Sequence, residues 1–321
     1  MRLAFLKDHT WGALRFEPEW GSDISKKQKS LVAKLADEAM AVEHGDTDSV
    51  SQALLVAGGS PHGARPKIMV SLSSDNKTAL TGHNLAPNGY RQVIIKFAGR
   101  NEDPSTIVLE HCYNRAAKDY GIDIFPSQLL HINGQDALCF ERFDRKEGQR
   151  QHVHSLSGML HTTHRIANSD WKHVRDVLMR LKGGQEGLEE AFRRAVFNAV
   201  FCVRDDHGKN HAFLRRKDGT WIMTPAYDVA FSDGPGGCHT LMYHGHTGKN
   251  VTLHDLRTMA PSFRVEPDKV QHMIKKAQDL REEMMRTAKA ELSPYVFSSV
   301  SARFKDIDAS FKKVTPKKKK P

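Results

Sequence analysis

The 321-residue sequence predicts an α+β protein with two lobes. Short runs rich in β-branched residues dominate residues 1–145, whereas helical patterns dominate residues 146–311. The length also exceeds the usual size of one domain, so one two-lobed unit or two domains is expected. We therefore predict a strand-rich N-lobe over 1–145, a mainly helical C-lobe over 146–311 and a basic, disordered tail over 312–321.

The N-lobe pattern combines strands with two helices. An amphipathic pattern over 27–43 predicts the first helix. The segments 66–74 and 90–99 are rich in β-branched residues and are separated by turn formers, which predicts neighbouring antiparallel strands. A Ser suited to the N-cap and a Gly suited to the C-cap predict a helix of about four turns over 105–122. Residues 135–145 predict a further buried strand.

The C-lobe pattern begins its core with a long apolar helix. Residues 186–203 start with acids and then carry apolar side chains on most faces, as a buried helix does. Residues 211–229 predict a hairpin around the Asp218-Gly219 turn. Residues 268–292 predict an amphipathic helix. Its apolar stripe consists of Val270, Met273, Ile274, Ala277, Leu280 and Met284.

Several protein classes conflict with the composition. No apolar run approaches the roughly 18 residues of a membrane helix, and the first apolar stretch is too short for a secretion signal. The four cysteines lie far apart without a CxxC pair, which favours reduced thiols over a disulfide framework. We therefore expect a cytoplasmic protein without a membrane partner.

The net charge of +10 is concentrated at the C-terminus. Six of these charges are Lys312, Lys313 and Lys317 to Lys320, which leaves about +4 for the rest of the chain. The ending PKKKKP is either a solvated end or an arm that binds polyanions or serves targeting.

The densest chemistry lies in VRDDHGKNH, residues 203–211. Phosphoryl transfer needs a carboxylate to orient or deprotonate the attacking hydroxyl and hard oxygen ligands for Mg²⁺. Asp205 and Asn210 have the five-residue spacing of a kinase catalytic loop, and Asp228 follows within one hairpin. A charged surface loop is the alternative. Asp228 lies between apolar residues, where a carboxylate needs a partner, and this favours the catalytic interpretation.

The stretches DDHGKNHAFL and WIMTPAYDV resemble the catalytic and metal-binding segment of HipA-type serine/threonine kinases, the toxins of bacterial type II toxin–antitoxin modules. Three earlier segments match in the expected order. GGSPHGARPKIMV (58–70) resembles the nucleotide loop, VIIKF (93–97) the strand with the nucleotide lysine, and ERFDR (141–145) the hinge. The resemblance covers roughly residues 50–260 and implies a bilobal protein-kinase-like fold.

The resemblance implies a role for each matched polar residue. Asp205 would be the catalytic base, and Asn210 and Asp228 would bind Mg²⁺. Lys96 would contact the phosphates of ATP, with Glu110 placed to steady it. The alternatives are a lysine at an exposed strand end and a surface glutamate.

The hinge and the nucleotide loop would complete the ATP site. Glu141 and Phe143 would offer main-chain groups to adenine, or ERFDR is a strand end with an exposed ion pair. Gly59 and Gly63 would allow close approach of phosphates. Ser60 matches an autophosphorylation site that ejects the loop in the family, because a phosphate there would repel the nucleotide. A serine that only caps a turn is the alternative.

Asp206 and His207 follow Asp205 in the loop. We expect Asp206 to face solvent or the substrate, and His207 to orient the loop through hydrogen bonds without taking part in the chemistry.

The resemblance implies an ATP- and Mg²⁺-dependent protein kinase, held by a DNA-binding antitoxin and reaching operator DNA only through that complex. Its protein substrate would be of the aminoacyl-tRNA synthetase type. A small-molecule kinase and a nucleotide-binding corepressor without kinase activity are the alternatives.

The chain departs from the family at its N-terminus. It reaches the nucleotide loop within 60 residues, so most of the family's small N-terminal subdomain is missing, and residues 11–20 resemble only the end of it. The protein is then a natural short form, or a separate small protein supplies the missing part.

Overall fold

The computed structural model divides the chain into two compact units. The first comprises Met1–His111 and Phe125–Val153, and the second comprises Cys112–Ile124 and His154–Pro321. The residues that the structure describes are 10–17, 28–43, 65–82, 85–146, 148–163, 169–246, 249 and 251–312. The division differs from the single boundary at residue 145, because one helix begins in the first unit and ends in the second.

An antiparallel six-stranded sheet forms the framework of the first unit. Its strands follow the order β1-β3-β2-β4-β6-β5. The elements up to the second unit are β1 (Gln28–Leu31), α1 (Val32–Glu43), β2 (Lys67–Ser73), β3 (Thr78–Thr81), β4 (Tyr90–Lys96), α2 (Ser105–Tyr120), β5 (Ser127–Ile132), β6 (Gln135–Glu141), β7 (Arg145–Lys146), β8 (Gln149–Arg150) and β9 (His152–Ser155).

The predicted pairing of the two N-lobe strands is confirmed. Strands β2 and β4 pair over their whole length, from Lys67 opposite Lys96 to Ser73 opposite Tyr90. The buried side chains of this pair pack against one face of α1. The helix predicted over 27–43 begins later than expected, because residues 28–31 pair with β3 as a strand. Strands β3 and β5 were not predicted.

Helix α2 confirms the predicted length of about four turns, but its N-cap differs. The Asp103 carboxylate accepts hydrogen bonds from the Ser105 amide at 2.9 Å and the Ser105 hydroxyl at 2.7 Å. Asp103 therefore provides the cap that the sequence assigned to Ser105. Gly121 ends the helix with a φ of +100°, a conformation that glycine adopts without strain.

Helices dominate the second unit. Its elements are α3 (Leu156–Met159), β10 (Ser169–Asp170), α4 (Trp171–Arg180), α5 (Gly184–Phe201), β11 (Ala212–Arg215), β12 (Trp221–Met223), β13 (Leu241–Met242), α6 (Leu253–Met259), α7 (Pro267–Ala288) and α8 (Pro294–Lys312), with 3₁₀ turns at Pro235–Gly237 and Ala260–Phe263. Strands β12, β11 and β9 form a small sheet, and the unit division falls inside β9. The predicted hairpin around Asp218 is confirmed.

Helix α5 is the core of the second unit. Almost every residue from Ala191 to Phe201 is buried, as the apolar pattern predicts. Helix α8 is bonded to this core through Arg281 of α7, which donates to the Val200 carbonyl and to both carboxylate oxygens of Asp308.

The predicted tail begins too early, because Lys312 still belongs to α8. Residues 313–321 lie outside the described residues.

Two further observations concern the chain as a whole. All four cysteines are free thiols, in agreement with the spacing argument. Among the described residues, no helix has both the length and the apolar character needed to cross a bilayer.

Packing of α1 on the sheet is expected to stabilise the first unit. Leu35 has no exposed surface and belongs to the core cluster between α1 and the sheet. Leu35→Ala should lower the free energy of unfolding by about 2–5 kcal/mol, because it removes buried carbon and leaves a cavity. Urea unfolding followed by circular dichroism measures this. The neighbouring Lys34→Ala, at an exposed position, should change it by less than about 0.5 kcal/mol; equal effects would contradict the packing.

Candidate functional site

The loop after α5 starts from a fixed direction. Cys202 adopts a left-handed conformation that ends the helix, and its amide still bonds the Asn198 carbonyl. Val203 and Ser232 then form an isolated parallel β-bridge. The Ser232 amide donates to the Cys202 carbonyl at 3.0 Å, and the Arg204 amide donates to the Ser232 carbonyl. The end of the buried helix and these bonds to Ser232 therefore fix the position at which the loop 204–210 begins.

Asp206 is buried, which corrects the expectation that it faces solvent or substrate. Its Oδ1 accepts hydrogen bonds from the amides of Thr240 at 2.9 Å and Leu241 at 3.1 Å. Its Oδ2 lies 2.9 Å from Nδ1 of His239. The charge-assisted bonds compensate the carboxylate for lost water. Asp206 is thus an anchor of the loop inside the protein.

Asp205 has the opposite environment. Its side chain is 61% exposed, and Nε2 of His207 lies 3.9 Å from its Oδ1, an ion-pair distance too long for a hydrogen bond. The Asn210 amide nitrogen donates to the main-chain carbonyl of Asp205 at 2.8 Å and so closes the loop. The Asn210 side-chain oxygen is the atom left for a ligand.

The middle of the loop packs closely on α3. The Ser157 amide donates to the Gly208 carbonyl at 2.9 Å, and a Cβ at position 208 would lie 2.6 Å from the Ser157 hydroxyl. The Tyr227 hydroxyl donates to the Lys209 carbonyl at 2.5 Å. Burial raises the pKa of Tyr227 far above its usual value, so the phenol stays protonated as a donor. The loop is thereby tied to the segment before Asp228.

Asp228 follows the hairpin at a strained position. The Ala226 amide bonds the Asp123 carbonyl at 2.7 Å and holds the strand exit. Asp228 then adopts a φ of +52°, a left-handed conformation that Asp tolerates better than most residues. Asp205, Asn210 and Asp228 line one cavity. The hairpin therefore brings Asp228 to the surroundings of Asn210, as its position in the sequence predicts.

His211 lies in the wall of the same cavity, and the sequence analysis did not single it out. The side chain is buried and meets Trp171 edge-on at 4.8 Å. Burial lowers the pKa of His211 to about 4, so the imidazole is neutral at pH 7. Among the described residues, neither ring nitrogen has a hydrogen-bond partner.

In the first unit, Lys96 forms a buried ion pair with Glu110. Its Nζ lies 2.9 Å from a carboxylate oxygen of Glu110, and both residues have less than a tenth of their surface exposed. Arg65 contacts the other oxygen of Glu110 at 2.6 Å. The alternatives of an exposed strand-end lysine and a surface glutamate are therefore wrong.

The predicted hinge residues have contrasting surroundings. Glu141 is exposed, with Arg91 3.9 Å from its carboxylate. Phe143 is buried, meets Trp11 edge-on at 5.1 Å and lies parallel to Phe125 at 6.2 Å. The aromatic contacts fix the main chain at Phe143 through its side chain.

A buried carboxylate that sequence reasoning missed supports this segment. Asp144 has no exposed surface and accepts bonds from Arg142, Arg145 and the Gly12 amide. The ion pairs of Asp144 are thus buried, whereas the pair of Glu141 with Arg91 is exposed, so the hinge interpretation and its alternative both stay predictions. Three arginines, including Arg150, also donate to main-chain carbonyls of residues 10–14.

The nucleotide-loop predictions cannot be placed in the same way. Gly59, Ser60 and Gly63 lie outside the described residues. Their assigned contacts with phosphate stay predictions.

The sequence and the structure of this chain are both similar to HipA proteins. The model of the HipA-like C-terminal domain family matches residues 59–287. No curated protein matches the sequence. A chain in the structure of the Shewanella oneidensis MR-1 toxin–antitoxin system HipA, HipB and its operator DNA superposes with a TM-score of 0.70 at 16% identity, covering 96% of this chain and 76% of that chain. The Helicobacter pylori proinflammatory kinase CtkA gives a TM-score of 0.41 at 11% identity, covering 75% of this chain and 95% of that chain.

The predicted α+β fold class and the family resemblance are both confirmed, by the family model and by the superposition on the HipA chain. The chain has a fold of the HipA type.

The close contact at Gly208 gives a test of the loop geometry. Gly208→Ala should lower the free energy of unfolding by about 1–3 kcal/mol, because the added methyl group overlaps the Ser157 hydroxyl. The loss should be smaller in a Ser157→Ala background, where that oxygen is absent. Gly99→Ala is the matched control, since its Cβ would meet its nearest neighbour at 3.5 Å. Urea unfolding of the four variants measures the effects, and a neutral Gly208→Ala would contradict the packing.

Proposed function

The chain belongs to the family of HipA-like C-terminal domains, and from this premise we propose that it is an ATP- and Mg²⁺-dependent protein serine/threonine kinase. The observation that carries the proposal is the convergence of Asp205, Asn210 and Asp228 on one cavity of the second unit. A carboxylate for the attacking hydroxyl and two oxygen ligands for a metal are the groups that phosphoryl transfer requires.

The residues present fit a magnesium ion. Asp228 offers carboxylate oxygens and Asn210 offers an amide oxygen, both hard ligands of the kind that Mg²⁺ prefers. The bond from the Asn210 amide nitrogen to the Asp205 carbonyl fixes which end of the amide is engaged. Bound Mg²⁺ would neutralise phosphate charge during transfer.

Asp205 is assigned as the catalytic base. The hydroxyl oxygen of a serine or threonine would attack the γ-phosphorus of ATP and form a new P–O bond. The bond between that phosphorus and the bridging oxygen would break, and ADP would leave with the bridging oxygen. The proton of the hydroxyl would pass to the exposed carboxylate of Asp205, which has the access to substrate that buried Asp206 lacks.

Lys96 is assigned to the phosphates of ATP, with Glu110 as its positioning residue. The ion pair holds the ammonium in a defined place. Glu141 and Phe143 are proposed to offer main-chain groups to adenine, and the aromatic packing of Phe143 supports a fixed main chain there.

Regulation is proposed to act through the nucleotide loop. Gly59, Ser60 and Gly63 would approach the phosphates, and autophosphorylation of Ser60 would add about two negative charges beside them. Repulsion would then push the loop outward and stop the kinase.

The proposed setting is a cytoplasmic toxin–antitoxin module. A solved structure with the same fold contains HipB and operator DNA, which supports a DNA-binding antitoxin as partner and contact with operator DNA through that complex. We further propose a protein substrate of the aminoacyl-tRNA synthetase type and, as a second partner, a small protein similar to the family's N-terminal subdomain.

Phosphate transfer tests the assignment of the carboxylates. The parent should transfer the γ-phosphate of ATP to a protein in the presence of Mg²⁺. Asp205→Asn should slow transfer by about 10²–10⁴-fold, because the base is lost. Asp228→Asn should abolish transfer, because a proposed metal ligand is lost. Mass spectrometry should locate self-labelling at Ser60.

The control for this assay is Asp279→Asn, which changes an exposed carboxylate of α7 and should behave as the parent does. A parent that binds ATP but labels neither itself nor proteins of a cell extract would contradict the proposal. That result would favour the corepressor, whereas transfer to metabolites alone would favour a small-molecule kinase.

Nucleotide affinity tests Lys96. Lys96→Met should raise the dissociation constant of ATP about tenfold or more, since a charge-assisted bond to phosphate is lost. Lys77→Met, at an exposed position in the turn between β2 and β3, should leave it unchanged. Calorimetric titration gives both values, and equal affinities would remove Lys96 from the ATP site.

A further inference from the structure

We infer that Asp206 and His239 form a positioning pair that holds Asp205 in its reactive place, an inference that rests on the proposed kinase activity. Asp206 lines the same cavity as Asp205, but its side chain is 0% exposed, so we assign the pair to act through the loop and not by contact with the substrate. It joins the loop before Asn210 to the segment after Asp228.

The geometry of the pair is that of a buried anchor. Asp206 and His239 have side chains that are 0% and 3% exposed. The carboxylate receives three hydrogen bonds from the consecutive residues His239, Thr240 and Leu241. We assign the proton of the bond between His239 and Asp206 to Nδ1 of His239, with the carboxylate as acceptor. The Asp206 side chain thus bonds to three consecutive residues, through one imidazole and two main-chain amides.

A second set of bonds runs in the same direction. The Arg204 carbonyl accepts from the Thr240 hydroxyl at 3.1 Å and shares the Thr240 amide with Asp206, also at 3.1 Å. Residues on both sides of Asp205 therefore bond to the segment 239–241. Since Asp205 lies between two anchored residues, its main chain has little freedom, and its carboxylate is the exposed group of the loop.

The chain that follows residues 239–241 is bonded to the core of the second unit. The Tyr243 hydroxyl donates to the Ala195 carbonyl of α5 at 2.9 Å. The Gly245 amide donates to the buried carboxylate of Asp170 at 2.7 Å, and β13 pairs in parallel with β10. Asp206 therefore bonds to a segment that cannot follow the loop if the loop moves. A fixed support is what a positioning residue requires.

Two substitutions separate positioning from general stability. Asp206→Asn keeps the shape but removes the charge and one acceptor, so kcat should fall on the order of 100-fold, as for a small misplacement of a reacting group. The dissociation constant of ATP should not change. In His239→Asn the amide nitrogen lies close to the former Nδ1 and restores the donor, so activity should be largely retained. In His239→Gln the nitrogen lies further out, and kcat should fall.

Amide hydrogen exchange measures whether Asp206 holds residues 239–241, and it does not depend on catalysis. The peptide containing Thr240 and Leu241 should exchange faster in Asp206→Asn and His239→Gln than in the parent and His239→Asn. Slow exchange of α5 in every variant shows that the second unit is folded. Asp279→Asn and His272→Gln, both at exposed positions of α7, are the matched controls and should match the parent in both measurements.

The outcomes distinguish this inference from the proposed function. Parent-like kcat in Asp206→Asn, with Asp205→Asn inactive, would overturn the positioning role and leave the kinase proposal intact. An inactive parent would overturn the kinase proposal; faster exchange in Asp206→Asn would then still support the anchor, and unchanged exchange would overturn it. Equal kcat losses in His239→Asn and His239→Gln would contradict the donor assigned to Nδ1.

Discussion

The buried carboxylate of Asp206 is the interaction on which the candidate site depends. Adjacent aspartates have opposite environments: Asp206 is enclosed and bonded three times, while Asp205 is mostly exposed. A carboxylate without these bonds would not remain buried, because desolvation of a charge costs more than the packing returns. The bonds therefore decide which of the two acids stays in the protein and which one faces outward.

Strain and burial are concentrated around the same cavity. Asp228 keeps a left-handed backbone conformation, and His211 keeps a buried neutral imidazole in the cavity wall. Both features cost stability and are held by the surrounding hydrogen bonds, such as that from Tyr227 to the loop. In the first unit, burial of the charged pair of Lys96 and Glu110 likewise costs stability. Costly arrangements of this kind are common where a protein binds or transforms a ligand.

Local patterns predicted much of the fold, and long-range contacts explain most of what they missed. The apolar run of α5 and the turn at Asp218 are signals within one segment, so both elements were predicted. Strand β1 could not be separated from α1, because its pairing partner lies about 50 residues further on. Asp206 was misplaced for the same reason: the residues that bury it lie more than 30 positions away. Asp144 could have been found from the arginines around it in ERFDR, which signal a carboxylate with several partners.

Asp228 and Asn210 are proposed to bind a divalent cation together with nucleotide. Electron paramagnetic resonance of Mn²⁺, used in place of Mg²⁺, tests this directly in the presence of an ATP analogue that resists hydrolysis. We expect one bound Mn²⁺ per parent chain with the nucleotide present, and weak binding in Asp228→Asn. Equal Mn²⁺ binding in the two proteins, or nucleotide binding unaffected by removal of all divalent cations, would contradict it.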